Sequence, residues 1–96
     1  MKKGEWKLAN MKECELPEKV SSGFNDAMAN VFGIECTPVI YCGKQVVHGI
    51  NHMIICKIVF DNLAKDEVLA TVILHEETDS RTKSRYSILS INSICG

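Results

Sequence analysis

Long apolar runs, a surplus of either charge, aromatic residues and proline are all scarce in this chain of 96 residues. No apolar stretch approaches the ~18–20 residues that cross a bilayer, so no membrane partner is expected. Eleven Lys and Arg against twelve Asp and Glu leave a formal net charge of −1. Nucleic-acid binders usually carry a basic surplus, so no nucleic-acid partner is expected either. With 2 prolines and 6 glycines there is no linker, repeat or low-complexity tract, and residues 1–96 read as one domain. The opening Met1-Lys2-Lys3-Gly4-Glu5-Trp6-Lys7 is basic but leads into no apolar core. It does not read as a secretory signal, and a cytoplasmic location is expected.

What is present is an ordinary globular balance, 46% apolar and 24% charged,. The five cysteines, Cys14, Cys36, Cys42, Cys56 and Cys95, are odd in number. That argues against a complete disulfide framework and for reduced thiols packed as small hydrophobes. Zinc fits poorly. Five residues separate Cys36 from Cys42, and only five separate Cys42 from His48, against the two to four and the longer gap that zinc fingers use. No metal and no cofactor are expected. A Cys–His nucleophile pair meets in space and leaves no spacing signal. No carboxylate pair or phosphate-binding loop is legible, so the chain is not expected to be an enzyme.

Periodicity supplies the architecture. Trp6 and Leu8 stand two apart, and residues 5–12 predict a short, half-buried first strand. Pro17 suits a first helical position and Glu18 faces the positive end of the helix dipole. Val20, Phe24, Ala27, Met28 and Val31 follow at helical spacing and form one apolar stripe. Gly33 stands where a helix is expected to have just ended. Gly23, inside the helix, costs about 1 kcal/mol relative to alanine and admits a strand packed close beneath it. Residues 37–47 and 51–60 are then rich in β-branched side chains, joined by His48-Gly49-Ile50. Residues 61–66 predict a polar turn. Residues 67–76 predict a strand with Val68, Ala70, Val72 and Leu74 on one face. Residues 78–84 contain no apolar side chain and predict a loop. Residues 85–93 predict the last strand, Tyr86 and Ile88 on one face, Leu89 and Ile91 on the other. This order predicts an α+β domain, one helix packed across a four- to five-stranded antiparallel sheet.

That order, with Gln45-Val46-Val47-His48-Gly49 at a strand junction, resembles the cystatin family, whose hairpin motif is Gln-x-Val-x-Gly. Three fixed positions alone are weakly specific. The strand junction, the preceding helix, Asn51 just after the motif and Gly4 about 40 residues before it make the likeness broader. It covers nearly the whole chain and is closest to the intracellular stefin branch. The resemblance implies a cystatin-like fold and reversible inhibition of papain-like cysteine proteases. Gly4, Gln45, Val46, Val47, His48 and Gly49 would form one part of a wedge that fills the protease cleft. Ser80, Arg81 and Thr82 would form the second hairpin of that wedge. It further implies a monomer able to exchange strands into a domain-swapped dimer.

The chain departs from the family pattern at several points. His48 replaces a small residue, and His52 stands where tyrosine is common. The second hairpin carries Asp79-Ser80-Arg81-Thr82-Lys83-Ser84 in place of an apolar pair, and Lys2-Lys3 precede Gly4 where an apolar residue is usual. Interface energy concentrates in a few buried anchors. These losses leave open an alternative, a cystatin-fold binding module that no longer inhibits proteases.

Overall fold

The structure, a computed structural model, describes residues 8–9, 11–78 and 85–95. A helix, α1 (Glu18–Met28), precedes four strands, β1 (Ile34–Val47), β2 (Gly49–Phe60), β3 (Glu67–Glu77) and β4 (Arg85–Cys95). The strands form one antiparallel sheet in sequence order, β1-β2-β3-β4. The core lies where α1 crosses one face of that sheet. Val20, Phe24 and Ala27 from the helix meet Ile54, Cys56 and Ile58 of β2 and Ala70, Val72 and Leu74 of β3. Each large aliphatic side chain buried there contributes roughly 1.5–3 kcal/mol. No helix among the described residues is long and apolar enough to cross a membrane.

The predicted alternation of residues 67–76 is the clearest agreement with the sequence, since Ala70, Val72 and Leu74 are all buried. Several boundaries differ. The expected first strand over residues 5–12 is not formed at Leu8, Ala9, Met11 or Lys12; its remaining residues lie outside those described. The chain nearby touches β1 through Cys14 N–H donating to the Pro38 carbonyl at 2.9 Å. Pro38 has no N–H to donate in return, so a reciprocal ladder cannot propagate from that point. The helix also ends early. Its last turn tightens, with Asn30 N–H donating to Ala27 and Val31 N–H to Met28. Val31 therefore leaves the apolar stripe, and Gly33, at φ +83°, lies beyond the helix end.

The last strand corrects a face assignment. Leu74 pairs with Ile88 but Ile73 pairs with Ser90, so Leu89 is an extra residue in β4. Such a bulge shifts the alternation by one. Ile91 thereby pairs with buried Val72 and joins Tyr86 and Ile88 on the helix-facing side.

At Gly23 the helix lies too near the sheet to admit a side chain. A Cβ at this position would fall inside the ring of Tyr86 on β4. Helix propensity alone predicts that Gly23→Ala stabilises by about 1 kcal/mol. Overpacking typically costs about 1–3 kcal/mol, and here the obstacle is a ring wedged between helix and sheet. Urea denaturation should therefore show Gly23→Ala less stable than the native protein.

Candidate functional site

Antiparallel order places the β1–β2 hairpin and the β3–β4 connection at the same end of the sheet. The hairpin turns within very few residues. Val47 pairs with Gly49 around His48, so the expected three-residue link reduces to one bend residue. Gly49 has φ +102°, a conformation that favours glycine. Space demands glycine as well. A Cβ there would lie 2.6 Å from the Glu76 carbonyl oxygen and 2.9 Å from the His75 ring. Val46 is 76% exposed and Val47 45%, and His48 is exposed beside them. β-Branched side chains held at a stiff turn present apolar surface with little rotamer entropy left to lose.

The tip is braced on both faces of the sheet. On the outer face, away from the helix, Asn51 Nδ2 donates to Gln45 Oε1 at 3.4 Å across the hairpin. Asn51 Oδ1 lies 2.7 Å from His75 Nδ1, so that nitrogen carries the proton and donates. Asn51 and His75 are directly opposite in the β2–β3 register. Gln45 braces the turn through Asn51.

On the helix-facing side the brace is buried and polar. His52 is 3% exposed and is the buried polar residue of the core. Its Nδ1 lies 2.8 Å from the Tyr41 hydroxyl and its Nε2 2.9 Å from Glu76 Oε1. The Tyr86 ring packs near the same imidazole, centroids 6.3 Å apart, and its hydroxyl hydrogen-bonds Glu76. The arrangement joins β1, β2, β3 and β4, and no buried side-chain N or O among the described residues lacks a partner. A satisfied buried network specifies register, because any slip would strand its members. Burial first, then the hydrogen bond and charge of Glu76, push the Tyr86 phenol up to about 12. Burial and the Glu76 charge also raise Tyr41.

The remaining chemistry is quiet. Contact with the Cys36 thiol, then burial, holds Cys56 protonated well above its ordinary range, so it is a poor nucleophile. The described cysteines are all free thiols. No group of three or more His, Cys, Asp or Glu among the described residues could hold a metal ion. An open groove of about 490 Å³ runs beside the outer brace, with Met53, Ile73 and Leu89 as its apolar floor and Cys42 and Lys44 at its margin. His52 does not reach it, since both its nitrogens are engaged on the other face.

Of the residues expected to form the wedge, Gln45, Val46, Val47, His48 and Gly49 come together at one exposed tip. Gly4, Ser80, Arg81 and Thr82 lie outside the described residues, although the flanking pair Glu77 and Arg85 brings the β3–β4 connection to this end. The motifs of the sequence place His52 only as a departure from the family pattern and single out neither Glu76 nor His75. The signal was available in the period-2 stripes. His52 continues Ile58, Cys56 and Ile54, and Glu76 continues Val72 and Leu74, so both are polar residues on an inward face. No family model, curated protein or solved structure matches this chain.

Two outcomes follow from the buried network. Glu76→Ala, which strands the His52 Nε2 and the Tyr86 hydroxyl, should cost about 2–3 kcal/mol in chemical denaturation at pH 7. The raised Tyr86 phenol stabilises the fold fully below the unfolded value near 10, and this contribution is lost as pH climbs through about 12,. Absorbance titration of the phenolates should show late ionisation, and Tyr86→Phe should flatten the fall in stability across that window.

Proposed function

We propose that this chain is a reversible inhibitor of papain-like cysteine proteases that plugs the active-site cleft with its hairpin tip. The observation that carries the reading is the tip itself. An apolar Val46-Val47 pair stands exposed at a glycine-enforced turn, braced from below and sharing its end of the sheet with a second connection. A wedge must be stiff, narrow and free of a bond presented for cleavage. A tip held by cross-strand side-chain bonds on both faces loses little entropy on docking. The Gln45, Val47 and Gly49 pattern gives this tip its resemblance to cystatins, and Gly4 and residues 80–82 would complete the wedge.

A second reading rests on specific residues. The β3–β4 connection carries no apolar side chain, and Lys2-Lys3 occupy the arm. On that reading the same tip binds a different partner and the chain is a cystatin-fold module without inhibitory activity. Arg81, Lys83 and Arg85 would then steer the tip toward an acidic surface.

Titration of papain with the purified protein, followed through hydrolysis of a small substrate, separates the two. The inhibitor reading expects stoichiometric or near-stoichiometric loss of activity at micromolar protein. Val46→Asp should weaken inhibition at least about tenfold with an unchanged melting temperature, because the side chain is exposed and a desolvated charge at a central anchor is costly. Full papain activity at micromolar inhibitor would retire the proposal in favour of the second reading.

A further inference from the structure

The five cysteines are scattered along the sequence, yet the fold brings three of them to one place. Cys14 N–H donates to the Pro38 carbonyl, and Pro38 stands opposite Cys56 in the β1–β2 register. Cys36, two residues before Pro38 and so on the same face, stands opposite Ile58. Cys36 and Cys56 are therefore diagonal neighbours on the helix-facing side, where Cys36 packs against the core cluster that holds Cys56. Their thiols are hydrogen-bonded, the Cys56 S–H donating to Cys36, and Cys14 is close enough for its charge to act on Cys56.

The two bonded thiols are unequal. Cys56 is 0% exposed and is held as the acid. Cys36 is only partly buried. The S–H received from Cys56 stabilises its thiolate and holds it below the ordinary thiol range, against the opposing effect of burial. The thiolate is the reactive form of cysteine. A reachable sulfur biased toward thiolate thus touches an unreachable one kept protonated. Redox-responsive cysteines have this form, an accessible thiolate beside a second, resolving thiol. Packing alone asks for neither the contact nor the difference in access.

We propose that Cys36 is a peroxide-reactive thiol that closes onto Cys56 as a reversible disulfide between β1 and β2. In the first step the Cys36 thiolate attacks one oxygen of a peroxide. The S–O bond forms and the O–O bond breaks. With hydrogen peroxide, the departing hydroxide takes up the proton that Cys36 gave up and leaves as water. The sulfur, now a sulfenic acid, has lost two electrons to the peroxide. In the second step the Cys56 sulfur attacks the Cys36 sulfur. The S–S bond forms, the S–O bond breaks, and the hydroxyl leaves as a second water with the proton from Cys56. Two thiols and one hydrogen peroxide give one disulfide and two waters. Cys56 is too well shielded to meet peroxide itself, so its part is to resolve the acid formed on its neighbour.

Closure draws the sulfurs from contact to the ~2.05 Å of a disulfide. β1 can yield, because it is an edge strand held by the sheet on one side and its ladder is irregular just beyond Pro38. The bridge would fix β1 to β2 on the far side of both β1 irregularities from the hairpin tip. By closing the loop over residues 36–56 it would also restrict the unfolded chain, which raises stability. No step involves residues 45–49, so the reaction is independent of what the tip binds.

The test is titration of the full, reduced chain at about 10 µM with up to a few equivalents of hydrogen peroxide. Remaining thiols are then alkylated and the peptides mapped without reduction, using fragmentation to separate Cys36 from Cys42. The first product should be lighter by two hydrogens, should have lost two of the five thiols, and should link Cys36 to Cys56. Its melting temperature should stand at least about 5 °C above that of the reduced chain, and dithiothreitol should reverse both changes. In Cys56→Ala the oxidation should stop at a Cys36 sulfenic acid, captured by dimedone. Cys36→Ser should slow peroxide-dependent loss of the Cys56 thiol at least about tenfold. Mapping of the native chain decides even if a variant fails to fold. Cys42 is an exposed thiol, so access alone would make it react first. Oxidation of Cys42, Cys14 or Cys95 while Cys36 stays free would overturn the proposal. So would a bridge between any other two cysteines, or a melting temperature that falls when the bridge forms.

Discussion

The closeness of α1 to β4 at Gly23 is the constraint from which the rest of the molecule follows. With no Cβ at that position, the Tyr86 ring lies directly under the helix. From there its hydroxyl reaches Glu76. Glu76 holds His52, and His52 holds Tyr41 on the edge strand. A packing fact at the helix is thereby transmitted through side chains from all four strands to the base of the hairpin. A bulkier residue at position 23 would lift the helix or displace the ring, and the polar network would lose one of its supports.

That network explains how a small domain can carry a rigid projection. A sheet covered by only one helix has a thin core, and the strand ends beyond the helix have few apolar contacts to stiffen them. Buried hydrogen bonds take over where the hydrophobic layer stops. They act together with the outer bonds among Gln45, Asn51 and His75. The hairpin is therefore gripped on both faces just below the residues it displays. Gly49 converts this grip into shape, since its backbone can pass against the Glu76 carbonyl where any side chain would collide.

Exposed apolar side chains stand at both ends of the molecule, and Ile40, Met53, Leu89 and Ile94 are exposed along the sheet between them. At one end Val46 and Val47 stand on a braced turn. At the other Phe32 and Leu63 stand on loops joined by a backbone bond. The two sheet edges carry devices that discourage edge pairing, with Pro38 and two irregularities in β1 and further irregularities in β4,.

Much of the plan could be read from local pattern alone. The helix, the four strands, the polar turn at residues 61–66 and the alternation of Ala70, Val72 and Leu74 are legible because each depends on side chains a few residues apart. The link His48-Gly49-Ile50 was legible as a hairpin for the same reason. What local pattern could not decide was whatever depends on an opposing surface. The missing ladder at Leu8, Ala9, Met11 and Lys12 follows from a proline on the facing strand, and the face of Ile91 follows from a bulge that only pairing with β3 reveals. The short turn of α1 that frees Val31 belongs with these. The role of His52 was out of reach until Glu76, 24 residues away, was brought to its ring. Periodicity records which way a side chain points, whereas tertiary packing alone determines what waits there to meet it.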